Sequence, residues 1–129
     1  MMRNIFQILL IIIFGLALTN CKAMKEYKAR VDSIEIENVD LQQVADGEYT
    51  GSFDAVLVKA TVKVAVKNHR IESIDLVEHE NGRGAAAEVI PGNVVKAQSL
   101  QVDTISGATA SSKVILEAIE LALKKGIQK

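Results

Sequence analysis

Thr109 stands in a run of small and hydroxyl-bearing residues, "DTISGATASS" (Asp103 to Ser112), directly before the most helical stretch of the chain, "KVILEAIELALKKG". Gly107, Ala108 and Ala110 leave its hydroxyl open to a large reaction partner, and Gly107 permits a backbone angle that other residues resist. Thr109, Ser111 and Ser112 are each candidates to begin the helix, because Ser and Thr oxygens accept from the unpaired N–H groups of a first turn. Those same N–H groups and the positive end of the helix dipole favour a phosphate, by about 0.3–1 kcal/mol and up to about 2 when partly buried. Residue types and spacing leave two readings open: an ordinary capping loop, or an exposed hydroxyl beside a phosphate site.

Other reactive side chains are few. Cys21 is the single cysteine, so no disulfide forms within the chain. It follows Arg3 and the apolar run Ile5 to Leu18, which is short for a spanning helix and has the length of a signal-peptide core. The tetrapeptide "LTNC" puts Cys21 where a bacterial lipoprotein signal places the thiol that receives a diacylglyceryl group. Leu18 fits that pattern, and Asn20 is larger than the usual Gly, Ala or Ser. The alternative for Cys21 is a small buried hydrophobe. His69 and His79 have no His, Cys or acid at metal-ligand spacing, so no metal site is expected. Arg83, between Gly82 and Gly84, could pair with a phosphate or stand solvated in its loop.

These residues need a frame. The chain has 129 residues, 49% hydrophobic and 24% charged, the composition of one globular domain. Its formal net charge of -1 becomes -2 for the 109 residues from Cys21 onward, and no Lys/Arg cluster stands out after residue 30 to bind nucleic acid. Residues 1–20 read as a lipoprotein signal peptide, 21–44 as a tether and 45–129 as the folded domain. Lys22, Lys25, Lys28 and Arg30 in the tether either favour an anionic membrane surface or are merely solvated.

"VDLQQVADGEYTG" predicts a helical turn with Leu41 and Val44 inward, ended at Asp46-Gly47. "AVLVKATVKVAVK" (Ala55 to Lys67) alternates as a half-buried strand with Val56, Val58, Ala60, Val62, Val64 and Val66 on one face. Asn68-His69 turns it into a second strand, "RIESIDLVEHE", to make a hairpin. A glycine loop, a short helix from Ala85 to Ile90 stopped by Pro91, and a helical segment around Val94 to Gln98 follow. The last helix carries Lys113, Glu117, Glu120 and Lys124 as a narrow polar stripe on an otherwise apolar surface, so it is mostly buried. Glu120 and Lys124 have the favourable i,i+4 order, and Gly126 suits the helix end. The class is α+β: a small hairpin-based antiparallel sheet packed by short helices and a buried C-terminal helix.

Asp103 through Thr109 resembles the flavinylation motif of the FMN-binding domain family: an Asp, two variable positions, Ser or Thr, then Gly-Ala-Thr or Gly-Ala-Ser. The likeness extends to "DGEYTG", "VKVAVKNHRIESIDLVEHE" and "VVKAQSLQVDTISGATASS", and covers about residues 45 to 125. The chain is similar to the domains in subunits of sodium-pumping NADH:quinone oxidoreductase and the Rnf complex, and in small extracytoplasmic flavin lipoproteins. Where relatives often carry Asp-Gly or Asn-Gly in the hairpin turn, this chain has Asn68-His69.

The resemblance implies that Thr109 accepts covalent FMN as a phosphoester, attached by a separate flavin transferase of the ApbE type that uses FAD and a divalent metal and releases AMP. Asp103, Ser106, Gly107 and Ala108 then form the surface the transferase reads and the cradle of the cofactor, or, for Asp103 and Ser106, local turn bonds. His79 and Arg83 lie in a region that relatives bring near the flavin. Among Tyr27, Tyr49 and Phe53, the only aromatics after the leader, Tyr49 is the candidate to stack on the ring or to serve as a strand residue. The implied role is an electron carrier and not an enzyme, lipid-anchored outside the cytoplasm, with the transferase and membrane-bound redox proteins as partners. The alternative is a membrane-anchored binding or scaffold lipoprotein with non-covalent or no flavin. A flavin-dependent reductase is weaker, because no paired acid and base groups accompany the motif.

Overall fold

The computed structural model describes residues 2–80, 82 and 84–127, apart from the side chains of residues 17–19. Helix α1 (Met2–Asp32) is continuous through the apolar leader and beyond Cys21, which is exposed on it. Its leader half is long and apolar enough to cross a membrane and is not buried by the rest of the chain. Such a segment fits a signal sequence or an anchor.

Three strands, β1 (Gly47–Asp54), β2 (Lys59–Lys67) and β3 (Arg70–Glu80), form an antiparallel sheet in the order β1-β2-β3. Helix α2 (Ile90–Ala97) lies against β3, and α3 (Thr109–Lys125) lies across β1 and β2. The architecture is therefore α+β, a sheet with helices on one face, as the alternating and 3.6-residue patterns predict. The inward row of β2, Ala60, Val62, Val64 and Val66, meets Val114, Ile115, Ile119, Ala122 and Leu123 of α3 in one core. β1 and α3 approach closely because Gly51 faces the helix: a Cβ there would stand 2.0 Å from the Ala118 carbonyl oxygen and 2.6 Å from the Ala122 nitrogen.

The hairpin forms at Asn68-His69, both with positive φ (52° and 60°), the pairing a type I′ turn requires. β3 does not alternate simply. Two bulges shift its register, so that Val66, Val64, Val62 and Ala60 face Ile71, Ile74, Leu76 and His79 in turn. The first strand of the hairpin also starts later than its alternation suggests. Asp54 to Val58 is a tight turn in which Ala55 C=O accepts the Leu57 N–H (2.9 Å) and Val56 adopts φ 72°. Val56 is consequently 38% exposed and lies outside the core row.

Two further expectations are corrected. Pro91 does not stop a helix: a 3-10 segment covers Ala85–Val89, and Pro91 sits in the first turn of α2, where its missing N–H has no partner to lose. Residues 31–44 are no free tether. Val31, Ile34, Val39 and Val44 are buried in the core, and Asp40 caps a 3-10 turn over Leu41–Gln43. The segment is pinned where Glu37 N–H donates to Glu120 Oε2 (3.0 Å) and Leu100 N–H donates to Asn38 Oδ1 (3.1 Å).

Candidate functional site

The loop before α3 is a turn in which Ala108 N–H donates to Ile105 C=O (2.9 Å) and Gly107 takes φ 78°. That positive angle at the third position is the one a type II turn needs, and it explains the glycine. Ser112, fully buried, fixes the loop from behind: its Oγ accepts from Ile105 N–H (3.0 Å) and donates to Ala108 C=O (2.8 Å). The cap position belongs to Ala108, with no side-chain cap bond, and not to Thr109, Ser111 or Ser112. Ser112 is committed to the loop and Ser111 to His79, so among the described residues no side chain caps the first-turn donors.

Thr109 is thereby the first residue of α3, exposed, and among the described residues nothing hydrogen-bonds its hydroxyl. It borders a cleft of about 140 Å³ together with Gly107, Ala108, Ala110 and Ser111 from the α3 end, Gly84, Val58 and Tyr27. An added Cβ on Gly107 would meet nothing within 4 Å, so the space above the turn is open. The exposed hydroxyl offers an oxygen for esterification, and the helix N–H groups and open backbone beside it suit the resulting phosphate with a bulky substituent.

His79 is joined to the cleft through Ser111. The second bulge of β3 turns it to the inner face opposite Ala60, where its side chain is only 2% exposed. Its Nδ1 lies 3.0 Å from Glu88 Oε1 and its Nε2 lies 3.1 Å from Ser111 Oγ. Ser106 is exposed on the turn itself, beside Gly107. Asp103 is exposed on the other side of the loop, bordering a separate cavity of about 330 Å³ with Ile34, Leu100 and Lys113. Arg83 lies outside the described residues.

The sequence of the FMN-binding domain matches residues 58–124, from the entry to β2 almost to the end of α3. The chain belongs to the FMN-binding domain family. An uncharacterized protein of Treponema pallidum (strain Nichols) is 31% identical over 86 residues, 64% of this chain and 24% of that protein. The chain thus spans about a quarter of that relative's length.

As a member of the FMN-binding domain family the chain is a flavoprotein, with FMN as its cofactor. Tyr49 is corrected as a ring-stacking residue. It lies on β1 opposite Val64, donates its hydroxyl to Ala45 C=O (2.7 Å) and packs against Gly126, at the opposite end of α3 from Thr109. The aromatic ring at the cleft of this FMN-binding domain is Tyr27, from the segment expected to be a tether. Ser111 and Glu88 are likewise absent from the sequence-based site. Only the fold shows that β3, the 3-10 segment and α3 meet there.

The ionisable groups that the fold shifts lie farther along α3. Lys124 is held above the ordinary lysine value, first by its hydrogen bond to Glu120 and further by Glu37. Glu117 is pushed above the ordinary carboxylate value by burial and then by the nearby Glu120 charge. Glu120 is 3% exposed and satisfied by Lys124 and the Glu37 N–H, which lets a carboxylate of the polar stripe enter the core.

Proposed function

We propose that this chain is an extracytoplasmic electron carrier that holds FMN covalently through a phosphoester on Thr109 and is anchored by lipid on Cys21. The observation that carries the reading is the exposed Thr109 hydroxyl, unpartnered among the described residues, at the first position of α3, beside an open cleft and within a complete Asp-x-x-Ser-Gly-Ala-Thr motif. FMN when bound supplies the capacity to pass one or two electrons.

Attachment is a transfer in which the Thr109 oxygen forms a bond to the FMN phosphorus, the pyrophosphate bond of FAD breaks, AMP leaves and the hydroxyl proton passes to a base on the transferase. Thr109 is a substrate of that reaction and not a catalytic group of this chain. The Ser106-Gly107 turn presents it, Ser112 keeps the turn in shape, and the first-turn N–H groups of α3 face the anionic phosphate. Covalent attachment keeps at hand a cofactor that would otherwise be diluted outside the cell's flavin pool, which is the advantage linkage confers. Two or more acyl chains on the Cys21 end give a stable anchor, where one would not. A flavin transferase and membrane-bound redox proteins are the partners this reading requires.

Production of the chain with a flavin transferase, followed by intact-mass measurement and flavin fluorescence on a denaturing gel, tests it. The expected product carries one FMN less water plus acyl groups, and Thr109→Ala loses the flavin alone. Flavin that washes off on denaturation, or that survives in Thr109→Ala, overturns the covalent attachment.

A further inference from the structure

Three side chains from three separate elements form a hydrogen-bonded chain that ends at the cofactor cleft. Glu88, in the 3-10 segment, is bonded to Nδ1 of His79 on β3, and Nε2 of the same ring is bonded to Ser111 Oγ on α3 (3.0 and 3.1 Å). The His79 side chain is 2% exposed and Ser111 is buried, so water has little access to the middle of the chain. Ser111 also borders the cleft that Thr109 borders.

Donor and acceptor roles follow from the carboxylate at one end. An ionised Glu88 only accepts, so Nδ1 carries hydrogen and donates to it. In the neutral ring Nε2 is then an acceptor, and Ser111 must donate its hydroxyl proton to it. That bond occupies the only proton Ser111 has. When the imidazole takes a second proton from solvent, Nε2 becomes a donor to Ser111 Oγ, and the hydroxyl proton is released to rotate toward the cleft. One N–H bond forms at Nε2 with a proton taken from solvent, no bond between heavy atoms changes, and Ser111 keeps its own hydroxyl proton.

We propose that Ser111 is a hydrogen-bond donor to the phosphate on Thr109, and that His79 and Glu88 are positioning residues that decide whether it donates there. The proposal rests on Thr109 being the attachment point. A phosphodiester oxygen is anionic, so the bond it receives from Ser111 is charge-assisted and favours the protonated ring. Among the described residues, the other groups near His79 are of a different kind. Its cross-strand partner is Ala60, the Lys59–Glu78 pair lies on the outer face of the sheet, and α1 presents Tyr27 to the same cleft.

The phosphorus atom reports the state of the relay. A diester of FMN and Thr109 has no second ionisation, unlike a phosphate monoester with its second pKa of about 6. Any movement of its ³¹P resonance between pH ~5 and ~8, the range in which imidazoles change charge, therefore originates in the protein. In the full flavinylated chain, washed free of unbound FMN, the resonance is expected to follow one titration. Ser111→Ala and His79→Gln flatten it, and His69→Gln, at the far hairpin turn, leaves it unchanged.

A diester resonance that is present but flat in the unsubstituted protein, or that still titrates in Ser111→Ala, overturns the relay and leaves the attachment standing. A missing protein-bound resonance overturns the attachment and the relay with it. Should Ser111→Ala fail to fold, ¹⁵N NMR of the unsubstituted protein at alkaline pH decides the matter. Hydrogen on Nδ1 of His79 is expected, and hydrogen on Nε2 instead refutes the assignment.

Discussion

Gly51→Ala is predicted to loosen the seam between β1 and α3 that holds the site helix in place. The added methyl would stand 2.0 Å from the Ala118 carbonyl oxygen, 2.6 Å from the Ala122 nitrogen and 2.9 Å from the Ala122 Cβ. Cβ atoms do not approach other heavy atoms below 3.0 Å, so α3 must move off the strand by about 1 Å. The nearest two obstacles are backbone atoms in the middle of a 17-residue helix, and no rotamer change relieves them. A radial gap of about 0.5–1 Å forfeits a quarter to a half of the dispersion at each contact it opens, and overpacking generally costs about 1–3 kcal/mol.

The backbone origin of this clash places it near the upper end, about 3 kcal/mol. For a domain of this size that lowers Tm by roughly 12–24 °C. Urea denaturation and thermal melting by circular dichroism measure it. Adding Ala122→Gly to Gly51→Ala should restore only a small part, because the Ala118 carbonyl stays in the way. A loss below about 0.5 kcal/mol, or full rescue by Ala122→Gly, would show that the seam is more compliant than its geometry implies.

Lys124→Met leaves the buried Glu120 with only the Glu37 N–H, and should cost about 1–3 kcal/mol in urea denaturation, with Glu120→Gln in the same background recovering most of it. Because Lys124 titrates above the ordinary lysine value in the folded chain, its contribution is complete below that ordinary value and is lost as pH rises through the raised one. Melting temperatures across alkaline pH should show this loss in the unsubstituted protein and not in Lys124→Met. Glu117 has the opposite sign: its raised value means that its ionisation costs stability as pH climbs out of the ordinary carboxylate range, and Glu117→Gln should flatten that part of the profile. Val56→Gly removes left-handed strain of about 1–3 kcal/mol against a glycine entropy cost of about 0.5–1, so it should raise Tm by a few degrees.

The hairpin and α3 were legible because their burial follows simple periods: alternate valines in β2, and a polar stripe one residue wide on α3. β3 was only partly so. Each bulge changes which face the next residue takes, and Ile71, Ile74, Leu76 and His79 share a face that no single alternation predicts. The turn at Val56 was hidden because a β-branched residue in a run of valines signals a strand, and only the hydrogen bonds of Asp54 to Val58 hold it at positive φ. Thr109 could be singled out from its neighbours, yet residue types alone could not choose between a cap and an attachment point; the motif resemblance made that choice. Tyr27 and the Glu88–His79–Ser111 chain depend on contacts between distant segments, for which local pattern carries no signal. The same holds for the docking of residues 31–44, whose apolar residues are too sparse to show a period.

Helix α1 sets a length scale. Tyr27, which borders the cleft, follows Cys21 by six residues on one continuous helix, at most about 9 Å along its axis. On the reading in which Cys21 carries the lipid, that stretch is a rigid spacer, and no long flexible arm lies between anchor and cofactor. The flavin is then confined to a thin zone next to the bilayer and cannot sweep out into the surrounding space. A redox partner must bring its own centre down to the membrane surface, so the spacer would select partners by height before any contact between their surfaces is made.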